Sequence, residues 1–175
     1  MAAVYFSNQI AGPGSPPALL AWSTHATSKK DPGNGSPLVA VAFESGAVGV
    51  YAEDGEPADA RAPLAIAGDR GVRPACLAWH PSLPVLAAGF EDGKVRVWSL
   101  RERRAAEEAE THYGRAVTCA AWSADGRRLV TGDARGRVAV WRLDPSRHRP
   151  TPVARVEDFA PDDGAKITHL SLIHI

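Results

Sequence analysis

The chain is short of the features that mark membrane, secreted and zinc-binding proteins. Its 175 residues include only two cysteines and one methionine, and no CxxC pair is present to hold zinc. No apolar run approaches the about 18 residues that a membrane span requires, and no basic leader of a secretory signal precedes the first apolar residues. The sequence therefore predicts a cytosolic protein whose cysteines, Cys76 and Cys119, pack in a core.

Motifs of catalysis are also missing. The sequence has no GxSxG nucleophile elbow, no GxxxxGK[ST] phosphate loop and no GxGxxG after a strand. Its six histidines do not form metal-ligand spacings with a carboxylate, so we assign them solvated or structural roles. These absences favour a non-catalytic protein that needs no cofactor and no metal.

Charge is balanced over the whole chain and uneven along it. The 20 basic and 20 acidic residues cancel, but residues 115–149 hold eight arginines against three acids. Such a segment can attract acidic or phosphate-bearing partners; alternatively, its arginines are solvated residues of edge strands, where charge discourages aggregation. The candidate protein-contact residues are Lys29, Lys30, Arg127, Arg128, Arg135 and Arg137.

One unit of the chain recurs after 43 residues without a gap. Ala75–Trp79 returns as Thr118–Trp122, and Lys94–Trp98 returns as Arg137–Trp141. A period of about 40 to 45 residues is typical of a four-stranded propeller blade. Alternation in the last strand of the unit predicts a half-buried strand with its valines on one face and its basic residues on the other.

A degenerate copy of the unit comes first. Ala42–Tyr51 matches Gly89–Trp98 at an offset of 47 residues, whereas Trp22 lies 57 residues before Trp79. The difference predicts an insertion between the first two strands of this copy. Residues 23–37, rich in turn formers, are its expected position as a protruding loop.

The repeats predict an all-β fold, a partial propeller of about three four-stranded blades. We place a closing strand at 1–10, blade one at 16–68, blade two at 69–112, blade three at 113–160 and the start of blade four at 165–175. Residues 171–175 resemble translated sequencing-adapter sequence, so their place in blade four is suspect. The closing strand would complete the ring in a longer protein, and an open ring would expose apolar blade faces.

Two local patterns bear on the strands. Gly46, Gly93 and Gly136 lie at the reversal between the second and third strands, where positive φ is often required. The turn at Arg135 lacks the aspartate of the Asp92 turn, which predicts a less rigid turn. Segment 101–110 carries helix-favouring charge pairs, but the repeat register predicts a strand or irregular excursion there, with a short exposed helix as the alternative.

These residues resemble the WD40 repeat family, whose third strand ends in Trp-Asp. Trp141 occupies the Trp position and Tyr51 replaces it in the first copy. His112 is similar to the family's structural histidine, with Thr131 and Trp141 in its hydrogen-bonded set; the acidic member would fall at Arg135, which predicts an incomplete network. The structural markers implied by the repeat and the resemblance are Trp22, Gly46, Tyr51, Trp79, Gly89, Gly93, Trp98, His112, Trp122, Thr131, Gly132, Gly136 and Trp141.

The resemblance extends to divergent WD40 proteins of ciliary transport. The ordered segments Tyr5–Ile10, Leu77–Pro81, Ala88–Gly93 and Val140–Asp144 look like the start of a large subunit of intraflagellar transport complex A. This implies a scaffold in retrograde ciliary transport, cilium assembly and import of membrane cargo, with other complex A subunits and cargo adaptors as partners. It also implies a location in the cilium, including axoneme and basal body, and in cytoplasm and cytoskeleton.

Two other functions stay open at this point. An unrelated WD40 adaptor, such as a ubiquitin-ligase substrate receptor, would have the same blades. A nucleic-acid-binding propeller would use the arginine-rich segment and lose affinity steeply with salt. The lack of aromatic residues interleaved with the basic ones argues against the latter.

Overall fold

The computed structural model describes residues 10, 12–23, 37–60, 64–66, 71–100, 104–110, 112–144 and 149–156. These residues form twelve strands in three four-stranded antiparallel sheets, with no helix among them. Most of the predicted closing strand at 1–10, most of the loop at 23–37 and all of segment 165–175 lie outside the described residues.

Each sheet is a meander in which neighbouring strands follow one another in the chain. Blade one contains β1 (Pro17–Trp22), β2 (Val39–Phe43), β3 (Val48–Tyr51) and β4 (Leu64–Ile66). Blade two contains β5 (Pro74–Trp79), β6 (Val85–Phe90), β7 (Lys94–Ser99) and β8 (Arg104–Glu110). Blade three contains β9 (Val117–Trp122), β10 (Arg128–Asp133), β11 (Val138–Asp144) and β12 (Arg149–Val156). Within the segment 101–110 that carries helix-favouring charge pairs, residues 104–110 thus form a strand, β8.

The turns between the second and third strands have the backbone that their glycines predict. Gly46, Gly93 and Gly136 have φ values of 93°, 87° and 82°, a region that costs residues with a Cβ free energy. In each turn the glycine N–H donates to the carbonyl three residues earlier, as Gly93 does to Phe90 at 3.2 Å. The hairpins set the register, so Gly89 pairs with Val95 and Gly132 with Val138.

The third strand of blade two is buried on both faces, which corrects the prediction of a half-buried strand there. In β11 of blade three burial alternates, with Ala139, Trp141 and Leu143 buried and Arg142 exposed. In β7, Val95 and Val97 are buried, and so is Arg96, whose side chain is 4% exposed. The Arg96 guanidinium carbon lies 4.5 Å from the centroid of the Phe90 ring. A cation over an aromatic face is a favourable way to bury an arginine, and the basic side of β7 is thus covered by protein rather than by solvent.

The apolar core lies between the blades. One cluster joins blade one to blade two through Val48, Ile66, Leu86 and Trp98, and a second joins blade two to blade three through residues that include Trp141. Small residues let the inner strands approach: a Cβ added at Gly89 would lie 2.6 Å from Val117 Cγ1 and 2.7 Å from Cys76 Sγ. Each blade therefore depends on its neighbour for burial of its apolar surface.

A repeated hydrogen bond links the inner strands. The Trp79 indole N–H donates to the Ala21 carbonyl of blade one at 2.9 Å, and the Trp122 indole N–H donates to the Ala78 carbonyl of blade two at 3.1 Å. Each inner strand is thus tied to the preceding blade by the tryptophan at its end. Trp22 holds the same position in blade one and is 59% exposed.

Candidate functional site

A buried polar network joins four side chains at one end of blade three. His112 Nδ1 lies 3.1 Å from Asp133 Oδ2, and His112 Nε2 lies 2.8 Å from Thr131 Oγ1. The Trp141 indole N–H donates to Thr131 Oγ1 at 3.0 Å. A carboxylate only accepts, so Nδ1 carries the proton. Thr131 then accepts from Trp141 and donates to Nε2, and every polar atom of a neutral histidine is satisfied.

Asp133, and not residue 135, is the acidic member of this network. Its Oδ2 accepts from His112, while its Oδ1 accepts the backbone N–H of Arg135 at 2.8 Å and of Arg137 at 3.0 Å. Asp133 is the last residue of β10, where the chain begins to reverse, so its carboxylate reaches both the turn and the histidine. The sequence-based prediction of an incomplete network is therefore wrong, and Asp133 supplies the turn with the carboxylate that residue 135 lacks.

The order Asp133, His112, Thr131 has the connectivity of a catalytic triad, but the network is structural. Thr131 and Asp133 are 0% exposed and His112 is 1% exposed. A nucleophile must reach a substrate, and the threonine oxygen already accepts the Trp141 N–H. The network ties the loop after β8 to β10 and β11, and thereby joins blade two to blade three.

His80 makes a second polar link between these blades, one that no motif of the sequence indicates. Its ring is buried, with Nε2 3.0 Å from the Gly126 carbonyl of blade three. Nδ1 accepts the backbone N–H groups of Ser82 at 3.1 Å and Leu83 at 3.0 Å, so Nε2 carries the proton and donates. The ring also packs edge-on against Trp122, with centroids 5.0 Å apart. The separation of 46 residues between His80 and Gly126 hides this contact from local patterns.

The remaining marker residues lie in the blade cores or at the rim of the sheets. Trp98 and Trp141 are buried at the same position of blades two and three, and Tyr51 is buried at that position of blade one. The Tyr51 ring covers Gly49, where an added Cβ would lie 2.5 Å from the hydroxyl oxygen. These positions support the blades and offer no group to a ligand.

The two cysteines are free thiols on neighbouring inner strands. Cys119 is buried and Cys76 is half-buried, with its Sγ 3.6 Å from the Val117 carbonyl. Burial raises the pKa of the Cys76 thiol from 9.0 to about 12 and also raises the pKa of Cys119. A thiol that stays protonated is a poor nucleophile, which agrees with packing as the role of both residues.

The predicted contact residues do not form one surface. Arg127 and Arg128 lie at the start of β10, and Arg135 and Arg137 lie beyond its end, so the strand separates the two pairs by about 17 Å. Arg142 pairs with Arg128 across the sheet and belongs to the first end. Lys29 and Lys30 are outside the described residues. The arginine-rich segment therefore supplies two separate basic edges.

A cleft of about 380 Å³ lies beside blade one. Its lining residues are Ile10, Gly12, Gly14, Ser15, Pro17, Leu20, Val41 and Phe43. Ser15 supplies the one polar side chain of that lining, and its Oγ accepts the Ser45 N–H at 2.9 Å. The cleft is thus an apolar depression without a group suited to acid–base or nucleophilic chemistry.

The described residues contain neither a metal-ligand cluster nor a membrane-spanning helix. No group of three or more His, Cys, Asp or Glu side chains is arranged there to hold a metal ion. Within the same part of the chain, no helix has the length and apolar character needed to span a membrane.

The blades are meanders that are joined by inner-strand tryptophans and by a buried Asp-His-Thr-Trp network. These features define a WD40 β-propeller, a fold that typically serves as a non-catalytic scaffold for protein–protein contacts. Residues 3–157 match the family model described as the IFT140 first beta-propeller. The chain belongs to this family.

Relatives and solved structures agree on the fold. The chain is 35% identical over 104 residues to WD repeat-containing protein 90 of Mus musculus, covering 51% of this chain and 5% of that protein. It is 29% identical over 97 residues to pre-rRNA-processing protein IPI3 of Mycosarcoma maydis, covering 47% of this chain and 16% of that protein. The C-terminal WD40 domain of Sif2 superposes with a TM-score of 0.64 at 17% identity, covering 91% of this chain and 40% of the domain. The chain thus spans a small part of these relatives and less than half of the solved propeller.

Proposed function

We propose that this propeller is a docking scaffold of intraflagellar transport complex A. The match of residues 3–157 to the IFT140 first propeller carries the proposal. The role would be retrograde ciliary transport, cilium assembly and import of membrane cargo. The protein would reside in the cilium, including axoneme and basal body, and in cytoplasm and cytoskeleton.

The structure is compatible with a scaffold because its polar side chains are used in two ways. The most buried ones, such as His112 and His80, join blades to one another. Charged side chains at the sheet edges, such as Arg127 and Arg135, are exposed. Rigid blades that carry exposed charged loops provide partner surfaces without chemistry. Other complex A subunits and cargo adaptors are the proposed partners.

The test uses the full-length protein in ciliated cells that lack the endogenous copy. A tagged version without residues 3–157 is compared with the intact protein by co-purification of complex A subunits and by imaging of cilia. We expect the deletion to reduce complex association or membrane-cargo entry, and to leave material at the ciliary tip. Normal association, cargo entry and return with the deletion would rule the proposal out.

A matched point variant separates docking from folding. Arg135→Gln changes an exposed side chain whose backbone holds the turn, whereas Asp133→Asn damages the buried network. We expect Asp133→Asn to lower the abundance of the protein in proportion to its lost stability. Arg135→Gln should leave abundance unchanged, so any transport defect that it causes reports on a surface contact.

A further inference from the structure

Three arginines of blade three lie together at one end of its sheet. Asp133 pairs with Val117 in the β9–β10 register, and the Ala134 N–H donates to the Ala116 carbonyl at 3.0 Å. Arg115 directly precedes Ala116 and Arg135 directly follows Ala134, so this hydrogen bond brings the two arginines to the same end of the sheet. Arg137 follows on the other side of the turn, with its N–H on the same Asp133 oxygen that accepts from Arg135. We refer to Arg115, Arg135 and Arg137 as the arginine rim.

The fold does not need arginines at these positions. In blade two the equivalent turn residue is Asp92, whose Oδ1 accepts the Lys94 N–H at 3.1 Å and so holds the turn. In blade three Asp133 performs this task from the end of β10, so the turn does not use the side chain of residue 135. Like charges placed close together on a sheet are destabilising, so arginines at both 115 and 135 cost stability.

Nothing in the described part of the chain neutralises the rim. Around blade three, the ion pairs of the described residues join Asp133 to His112 and Asp125 to Arg127. None of them reaches a guanidinium of the rim. Arg135 is exposed and the other two arginines are half-buried. The Asp133 carboxylate beside Arg135 and Arg137 is fully buried and is occupied by His112 and by the turn N–H groups. On the blade-two turn, Glu91 is exposed and Asp92 lies 3.9 Å from Lys94 Nζ. A negative ligand over blade three would relieve the repulsion within the rim.

The loop that supplies Arg115 also presents an aromatic ring. Tyr113 is 55% exposed and has a φ of 47°, a conformation that costs a non-glycine residue free energy and is found preferentially at functional sites. The loop is held in place because the Arg115 N–H donates to the His112 carbonyl at 3.0 Å and His112 is fixed by Asp133. Tyr113 thus lies two residues from Arg115, on a loop that these hydrogen bonds hold in place.

We propose that the arginine rim, with Tyr113 beside it, binds an acidic segment of a partner protein. Arginine forks pair with carboxylates in charge-assisted hydrogen bonds, and tyrosine and arginine are the residues that most often dominate such contacts. A nucleic acid fits less well, because Glu91 and Asp92 interrupt the basic surface that a continuous phosphate backbone would follow. The proposal rests on the scaffold function and specifies one of its surfaces.

The test measures binding of a fluorescent glutamate-rich peptide to the purified full-length protein by anisotropy at fixed salt. The variant Arg115→Gln/Arg135→Gln removes rim charge, and Arg127→Gln/Arg142→Gln removes the same charge at the opposite end of the sheet. We expect the rim variant to weaken binding at least about tenfold and the control to change it less than about twofold. Tyr113→Gly, which suits the positive φ, should also weaken binding while the fold is kept.

Several results would overturn this inference. The first is that the intact protein does not bind the peptide. The second is that both double variants weaken binding equally. The third is that the protein prefers single-stranded RNA and that the rim variant abolishes this RNA binding. The unfolding midpoint of the rim variant should equal or exceed that of the intact protein, because like charges placed close together are removed. A failure here leaves complex A association of the full-length protein untouched, so the two proposals fail separately.

Discussion

His112 Nδ1 lies 3.1 Å from Asp133 Oδ2, and both side chains are buried. The carboxylate also accepts two backbone N–H groups of the next turn. One aspartate therefore fixes a histidine that follows blade two and a hairpin of blade three. The contact is the centre of the polar network, and it sets the shape of the loops that carry Tyr113 and the arginine rim.

Asp133→Asn should destabilise the propeller by about 1–3 kcal/mol, the cost of a buried polar group left without its partner. An amide cannot accept from all three N–H groups that the carboxylate serves. Urea unfolding of the full-length protein, followed by circular dichroism, measures the change. Asp125→Asn is the control: this exposed aspartate also serves a turn, and its loss should leave the unfolding midpoint nearly unchanged. Equal losses for the two variants would contradict the role given to Asp133.

Gly89→Ala should cost about 1–3 kcal/mol by overpacking the contact between blades two and three. The added methyl group would meet Val117 Cγ1 and Cys76 Sγ at under 3 Å, and the inner strands would have to separate. The double variant Gly89→Ala/Val117→Ala supplies the room. In a double-mutant cycle its loss should be smaller than the two single losses added together. If the two single losses of stability simply add in the double variant, the added methyl group does not clash with Val117.

Alkaline pH should weaken the fold through Cys76. Its pKa in the folded state is about 12, against 9.0 for an ordinary thiol. Between these two values the unfolded chain loses a proton that the folded chain keeps, so stability is fully present below pH 9.0 and falls as the pH rises toward about 12.

Cys76→Ala tests this pH dependence. The urea midpoint of the variant should fall less steeply over the same pH range. Some slope should remain, because burial also raises the pKa of Cys119. An unchanged slope in Cys76→Ala would assign the alkaline loss to other groups.

Trp22 should dominate quenching of tryptophan fluorescence by acrylamide in a preparation of this segment. It is 59% exposed, whereas Trp98 and Trp141 are 4% and 1% exposed. Trp22→Phe should remove most of the quenchable emission, and Trp141→Phe should not. The hydrogen bonds of Trp79 and Trp122 to the preceding blade suggest how a further blade would cover Trp22, and quenching should then fall in a longer protein. Strong quenching of Trp22 in a complete propeller would contradict this packing.

The sequence repeat by itself predicted the fold class and the hairpins of this protein. Alternating apolar residues predict strands, because side chains of a strand point to opposite faces, and Gly93 and Gly136 predict the reversals, because they tolerate positive φ. The resemblance to WD40 repeats correctly indicated His112, Thr131 and Trp141 as one set. These inferences depend on short spacings along the chain, which local backbone geometry translates directly into structure.

The tertiary structure decided which distant groups meet. It selected Asp133 over residue 135 as the partner of His112, because the position of the carboxylate depends on where the hairpin begins. It buried His80 between blades two and three, and it buried Arg96 against Phe90 on the face that alternation alone leaves open to solvent. It divided one arginine-rich stretch into opposite edges. The sequence determined what each blade is, and the packing of blade against blade determined which of its polar groups hold the fold and which remain available to a partner.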